Sequence, residues 1–307
     1  MGARVLITGA SGFAGPHLVR ACEEAGDRVI AVSRSTGVDL TDAAAARAIV
    51  RASEPDVVHH LAGLASVGGS WEEPERWLQV NSVMALNLLE AVRTEAPGAR
   101  VVLVSSGQVY GRPRHLPVGE DGALAPESPY AVAKATVDLL GGMYAETHGL
   151  WIIRARAFNH AGPGQSADYI VASLARQVAA VQGADGACRI VTGNADARRD
   201  FTDVRDVVEA YRALAATAEP GVYNVCSGRS TSVAELVALA GAAAGCEVEH
   251  EVDPALVREH ELMDVRGSHA ALTAATGWEP TITLEQTLAD TVQWWVGELD
   301  RERGAAL

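Results

Sequence analysis

The sequence predicts an α/β protein: a doubly wound parallel sheet with a smaller mixed α/β lobe toward the C-terminus. Three observations lead there. The first half alternates short β-rich runs with longer segments whose apolar residues recur at helical spacing. A glycine-spaced turn follows the first strand directly. After residue 158 the rhythm breaks into a Gly/Pro-rich loop, "NHAGPGQSADY", and then into elements of mixed type. Regular strand–helix repetition calls for one parallel sheet with helices on both faces. Ligands in such sheets bind beyond the carboxyl ends of the strands.

"RVLIT" (4–8) opens the sheet and runs into "TGASGFAG" (8–15), where Gly9, Gly12 and Gly15 have TGxxGxxG spacing. Glycines so placed permit a tight turn, close approach of the backbone to a pyrophosphate, and close helix–strand packing, the mark of a Rossmann-type sheet. The helix that follows, "PHLVRACEEA", turns its N-terminus toward the anion. The second strand, "RVIAV" (28–32), ends in "SRST" (33–36). A carboxylate there would bind the ribose 2′-hydroxyl of NAD; Ser33 and Arg34 instead suit a 2′-phosphate, so NADP(H) is expected, with NAD(H) as the alternative. "DAAAARAIVRA" is helical, "DVVHHLA" (56–62) a strand, and "NSVMALNLLEAVRTEA" a helix that Asn81 is expected to start close to the cofactor. His59 and His60 are expected to find local partners in their strand.

"RVVLVSS" (100–106), the helix "YAVAKATVDLLGGMYAETH" and the strand "LWIIRARAF" (150–158) complete the first half. Beyond it, a helix over 169–182 precedes a strand, "GVYNVCS" (221–227), that returns to the sheet. "SVAELVALAGAAAG" is a helix capped at Thr231-Ser232. Trp294 and Trp295 are read as packing for the last helix. The expected organisation is a dinucleotide-binding domain over 1–161, with 203–227 returning to it, and a second lobe made of 162–202 and 228–307.

Composition narrows the function classes. The chain is 48% hydrophobic and 21% charged, ordinary for a globular protein. No apolar run is long enough to span a bilayer, and the first residues lack signal-peptide order, so a cytoplasmic address is the expectation. Twenty-five basic against 39 acidic residues give a net charge of −14, which argues against nucleic acid and anionic membranes as partners. The four cysteines have no CxxC pair and read as small buried hydrophobes, with no metal site.

"YAVAK" puts Tyr130 and Lys134 four residues apart, on one helix face. A lysine beside a phenol favours the phenolate, so the tyrosine serves as acid or base near neutrality. Ser106, at a strand end in "SSGQVYG", is placed to turn its hydroxyl to the same cleft. With "TGASGFAG", "HLAG", "SSGQVYG", "SPYAVAK", "RAFNHAGPGQ" and "RRDFTDVRDVVEAY" in order, the chain resembles the extended short-chain dehydrogenase/reductase family almost end to end. The resemblance implies a nicotinamide dinucleotide, a sugar nucleotide bound by the C-terminal lobe, and Ser106, Tyr130 and Lys134 as catalytic triad. It sets Asp39 and Leu40 at the adenine and Ala62 and Gly63 along the dinucleotide. It also adds Ser11, Phe13, Ala14, Leu61, Asn81, Tyr130, Lys134 and Ala157 to the cofactor contacts. Homodimers through the helices around 81–95 and 130–147 are the family habit.

"FNHAGPGQ", "RRDFTDVRD" and "VYNVCSG" look most like the branch of GDP-4-keto-6-deoxy-D-mannose reductases, relatives of GDP-mannose 4,6-dehydratases. In that branch Asn159 and Arg199 approach the nucleotide diphosphate. "REHE" (258–261) resembles the branch's Arg-Pro-x-Glu with the proline replaced by Glu259, and assigns Arg258 to phosphate and Glu261 to ribose. Related dehydratases carry a glutamate base where this chain has Gln108, whose neutral amide hydrogen-bonds a sugar but takes no proton. The implied reaction is NADPH-dependent reduction at C4 of a nucleotide-linked 4-keto-6-deoxy sugar, most specifically GDP-4-keto-6-deoxy-D-mannose to GDP-D-rhamnose. The alternatives are a sugar-nucleotide C4 epimerase or 4,6-dehydratase and, more remotely, a non-catalytic NADP(H) sensor.

Overall fold

The structure is a computed structural model and describes residues 2–181, 188–257 and 262–305. In chain order the strands are β1 (Arg4–Thr8), β2 (Arg28–Val32), β3 (Val57–His60), β4 (Arg100–Ser106), β5 (Ile152–Ala157), β6 (Asn159–Ala161), β7 (Cys188–Thr192), β8 (Arg198–Asp203), β9 (Gly221–Val225), β10 (Ser230–Ser232), β11 (Val248–Val252) and β12 (Asp264–Val265). The α-helices are α1 (Ala14–Glu24), α2 (Ala43–Ser53), α3 (Val67–Glu72), α4 (Pro74–Glu95), α5 (Pro129–His148), α6 (Ile170–Val181), α7 (Val204–Thr217), α8 (Val233–Ala244), α9 (Ala270–Thr276) and α10 (Leu284–Ala305).

Six strands form one all-parallel sheet in the order β2-β1-β3-β4-β5-β9. The chain winds outward one way from β1 to β2 and the other way from β3 onward. Side chains alternate across each strand, and the two sets feed different cores. Val5 and Ile7 pack with Leu18 and Cys22 of α1, and Val102 and Ile153 with Leu214 of α7 and Leu272 of α9. Leu6, Val101, Leu103 and Ile152 join Val50 of α2, Leu88 of α4 and Val137 of α5. Both faces are therefore covered, and the strands read as near-continuous apolar runs for that reason.

The chain divides into two compact units. One is Met1–Phe158 with Val207–Val225 and Gly267–Glu279; the other is Asn159–Asp206 with Cys226–Arg266 and Pro280–Leu307. In the second, β10, β8 and β12 are hydrogen-bonded in that order, β6 adds to β8, and β7 pairs with β11. Its core is built from α6, α8 and α10, with Leu174, Leu236, Leu288 and Trp295 buried together.

Several boundaries differ from the sequence reading. Residues 267–279, expected in the second lobe, belong to the first unit because Leu272 and Trp278 are buried beside Val225. Residues 159–161 go to the second unit because Asn159 pairs in register with Phe201. Asp206 stays there as well, its carboxylate accepting from Thr281 N and Ile282 N at 3.0 and 2.8 Å. The helix holding Asn81 begins earlier than expected, at Pro74, so Asn81 stands inside α4 and does not start it. The α8 cap is as expected: Ser232 Oγ accepts from Glu235 N at 3.1 Å. No described helix is long and apolar enough to cross a membrane, and no group of described His, Cys, Asp or Glu residues is arranged to hold a metal.

Candidate active site

Glycines shape the turn after β1 for different reasons. Gly9 has φ +74°, and a Cβ there would lie 2.6 Å from Ala62 N; at Gly15 a Cβ would lie 2.4 Å from Ala10 O. Gly12 meets only Gly9 O, at 3.2 Å, so its missing side chain leaves the backbone open to a ligand. The α1 N-cap, Phe13, makes no side-chain capping bond; with Gly15 N donating to Gly12 O at 3.2 Å and no N–H on Pro16, Ala14 carries the first-turn amide that faces an anion. Beside this turn lies a cleft of about 290 Å³ whose wall includes Gly9, Ser11, Gly12, Ser33, Arg34, Asp39, Leu40, Leu61, Ala62 and Gly63. It sits where β1, β2 and β3 end, at the point where the winding reverses, so its shape and amides suit a dinucleotide. Thr41 N and Oγ1 hold Asp39 at 2.9 and 2.7 Å, and these bonds, with the Arg34 charge, keep its carboxyl below the usual range.

Phe13, Ala14 and Gly15 sit at the start of α1, outside the wall. Ala157 lies within β5, buried between its neighbours. Asn81 is also off the wall: its Oδ1 accepts from Leu64 N at 2.7 Å and its Nδ2 donates to Leu64 O at 3.1 Å. It thereby shapes the loop that carries Leu61–Leu64.

At the end of β4 the chain enters a 3₁₀ turn, Gly107–Tyr110. Ser106 Oγ accepts from Gln108 N at 3.2 Å, leaving its own proton to be donated elsewhere. Gly107 is required because a Cβ would lie 2.8 Å from the Phe158 ring. Gln108 is half-buried on this turn. Ser128 caps α5, accepting from Ala131 N at 3.1 Å, with Pro129 in the first turn; half-buried Tyr130 follows.

Lys134 is 7% exposed. Its Nζ donates to Val104 O at 2.9 Å, and Ser105 Oγ donates to Lys134 O at 3.1 Å, so the helix is pinned to β4 at this lysine. A Cβ on Gly63 would lie 3.1 Å from Asn81 Oδ1 and 3.6 Å from Lys134 Nζ, which puts the ammonium next to the cleft wall. Burial pulls that ammonium down to about 8. His60, whose Nδ1 is 2.8 Å from Thr8 Oγ1, is held neutral, lowered to about 3 by burial and then by the Lys134 charge. His59 differs from expectation: its buried Nδ1 has no hydrogen-bond partner among the described residues.

Asn159 and Arg199 lie on the paired strands β6 and β8 of the second unit. Asn159 Nδ2 donates to Asp200 O at 3.1 Å, and Arg199 Nη1 donates to Arg198 O at 2.8 Å and Leu262 O at 2.5 Å. Arg258 and Glu261 lie outside the described residues.

A family model described as GDP-mannose 4,6 dehydratase matches residues 34–291, a stretch that includes Ser106, Gln108, Tyr130, Lys134, Asn159 and Arg199. The chain belongs to that family. A GDP-6-deoxy-D-mannose reductase from Pseudomonas aeruginosa is 38% identical over 302 residues, spanning 97% of this chain and 99% of the relative. The solved structure of RMD from Pseudomonas aeruginosa complexed with NADPH has TM-score 0.89 at 37% identity, covering 97% of this chain and 99% of that one. The Thermus thermophilus UDP-glucose 4-epimerase complex with NAD has TM-score 0.85 at 29% identity, covering 95% and 99%.

Some site residues escaped the sequence reading. Val32, Val38, Leu64, Val80 and Met84 join Leu40, Leu61 and Ala62 in the apolar part of the cleft wall. Val80 and Met84 carry a usable signal, an apolar pair four apart flanking Asn81. Asp200 carries none that is local: fully buried, it accepts from Ser227 N at 2.8 Å, Ser227 Oγ at 2.6 Å and Gly228 N at 3.0 Å, which ties "RRDF" to "VYNVCSG".

Proposed function

We propose that this protein reduces the C4 keto group of a nucleotide-linked 4-keto-6-deoxy sugar with NADPH, converting GDP-4-keto-6-deoxy-D-mannose to GDP-D-rhamnose. The observation that carries the reading is Gln108. An amide stands on the turn capped by Ser106, where elimination across C5–C6 would need a carboxylate base. The likeness to a GDP-6-deoxy-D-mannose reductase supports the same substrate class. Arg34 on the cleft wall, at the end of β2, supports NADPH over NADH.

The dinucleotide, when bound, supplies the hydride. Ser106, its oxygen already engaged by Gln108 N, donates its proton in a hydrogen bond to the C4 oxygen. Tyr130 delivers the proton that turns the developing alkoxide into an alcohol. Lys134 holds positive charge beside the phenol and the nicotinamide ribose, and its burial makes that charge felt. Gln108 seats the sugar; Asn159 and Arg199 take the diphosphate, and Arg258 and Glu261 are assigned to phosphate and ribose by resemblance alone.

The enzyme is proposed to act in the cytoplasm as a homodimer. The faces offered to a second copy are those of α4 and α5, where Leu86, Val132, Leu139 and Met143 are exposed. The free cysteines suit a reducing compartment.

The test is two incubations. GDP-4-keto-6-deoxymannose with NADPH should consume cofactor stoichiometrically, and GDP-mannose with NADP⁺ should yield no 4-keto-6-deoxy product. Accumulation of that product in the second tube would overturn the reading. A C4 epimerase is the second reading, favoured by the likeness to UDP-glucose 4-epimerases. It would recycle its dinucleotide and leave NADPH unspent.

A further inference from the structure

Beneath the turn that carries Ser106 and Gln108 lies a buried polar cluster for which the reaction above has no use. Tyr110 closes the turn and is 1% exposed. Its hydroxyl donates to Asn224 Oδ1 of β9 at 2.8 Å and accepts from Arg156 Nη1 of β5 at 2.8 Å. Arg156 grips Asp138 of α5 with two nitrogens, Nε to Oδ2 at 2.9 Å and Nη2 to Oδ1 at 3.0 Å. Its guanidinium also sits 5.0 Å from the centre of the Tyr110 ring. Asp138 and Asn224 are fully buried. Asn224 Nδ2 donates to Val118 O at 3.0 Å and its backbone N–H donates to Glu120 Oε1 at 2.8 Å.

A core of apolar residues would have been the easier way to fill this space. Removing a carboxylate and a guanidinium from water returns little net stability, even when the pair is well formed. What a bidentate pair does impose is geometry, because the planar fork accepts the carboxylate in one orientation. The placement of this pair is informative. Asp138 follows Lys134 by four residues and Tyr130 by eight, so all three lie on one face of α5. The other end of the cluster, Tyr110, is two residues from Gln108 and four from Ser106. The lysine already pins α5 to β4 through Val104 O and Ser105 Oγ. A second anchor, one turn further along the helix, prevents it from rolling about the first.

We propose that Tyr110, Arg156 and Asp138 are positioning residues: as one cluster they hold the Ser106–Gln108 turn at a fixed offset from Tyr130 and Lys134. The claim rests on the catalytic roles assigned above. None of the three touches substrate or cofactor in this account; they act through the turn and the helix.

The experiment uses Tyr110→Phe, which removes one hydroxyl and keeps the ring, and Arg156→Lys, which keeps the charge and loses the fork. Turnover is measured per NADPH-binding site, on whichever nucleotide sugar the wild type converts. A misplacement of the reacting groups by a fraction of an ångström is expected to lower kcat by about tenfold or more in each variant. The NADPH dissociation constant should stay at the wild-type value, since the cleft at β1–β3 is built elsewhere. The double variant should lose no more than the worse single one, because both changes break one cluster. Wild-type kcat per binding site in the single variants would refute the positioning role. So would a loss of kcat matched by loss of NADPH binding, or losses that multiply in the double variant. A wild type that converts some other nucleotide sugar refutes the substrate assignment and leaves the variant-to-wild-type ratio to judge this proposal separately.

Discussion

Replacing Lys134 by methionine should make the ligand-free protein more stable near neutral pH while ending turnover. The side chain is 7% exposed, and burial draws its ammonium from an ordinary 10.5 down to about 8. Folding at pH 7 therefore places a charge where the folded state disfavours it. Below pH 8 both folded and unfolded chains hold the proton, and the penalty is fully present. Between pH 8 and 10.5 the unfolded chain keeps a proton that the folded one has released, so stability rises with pH across that window. At about 1.4 kcal/mol per pH unit, the gap amounts to about 3 kcal/mol. Methionine removes the whole penalty but also the 2.9 Å bond from Nζ to Val104 O. A bond from a charged donor contributes about 1.5–3 kcal/mol, so the net gain at pH 7 is on the order of 1 kcal/mol, or about 1–2 degrees in Tm for a chain of this length. Thermal melts of both proteins at several values from pH 6.5 to 9.5, without ligand, follow this residue because groups other than its neighbours Tyr130 and His60 titrate alike in both. The methionine variant should lead at the acid end, and its lead should shrink or reverse toward the alkaline end. A difference that stays constant across the series would refute the argument. The same titration predicts that wild-type kcat/KM falls above about pH 8, as the free enzyme loses the ammonium.

Tyr130→Phe should lower kcat by about 10²–10⁴-fold, the usual worth of a general acid, with NADPH binding retained by calorimetry; wild-type turnover would transfer the proton-donor role to another group. Arg34→Ala should raise the KM for NADPH by about 10–100-fold, as loss of a charge-assisted bond of about 1.5–3 kcal/mol requires. The KM for NADH should barely move, and equal effects on both would remove Arg34 from the 2′-phosphate. Gly9→Ala should weaken cofactor binding and lower Tm together, because φ is +74° and the new Cβ would sit 2.6 Å from Ala62 N; a protein with both unchanged would show that the turn and the Leu61–Gly63 loop relax independently.

Most of the fold was readable because its causes are local. The strands of the large sheet alternate over two covered faces, and each carries enough apolar residues to be seen alone. The cofactor turn was readable because a positive φ at Gly9, and backbone contacts below 3 Å at both Gly9 and Gly15, leave glycine as the only fit. The second unit hid its strands for the converse reason. "RRDFTD" has no apolar alternation; it is a strand because Asn159–Ala161 and Ser230–Ser232 pair with it and Asp200 ties it to the Ser227 loop. None of those partners is near in sequence. The same logic separates the parts of the candidate site. Ser106, Tyr130 and Lys134 stand out by residue type and spacing, the pattern that the proposed proton transfer asks for. Tyr110, Arg156, Asp138 and Asn224 come from four separate stretches of chain, and no one stretch has a pattern that asks for the others. Their meaning appears only when the hydrogen bonds are drawn. Gln108 stands between the two cases. Its identity excludes a base at once, from the chemistry of an amide. Its usefulness depends on the turn beneath it, where Ser106 takes its backbone N–H and Tyr110 anchors the exit. A reductase needs no acid in this turn, since hydride delivery to C4 removes no C5 proton.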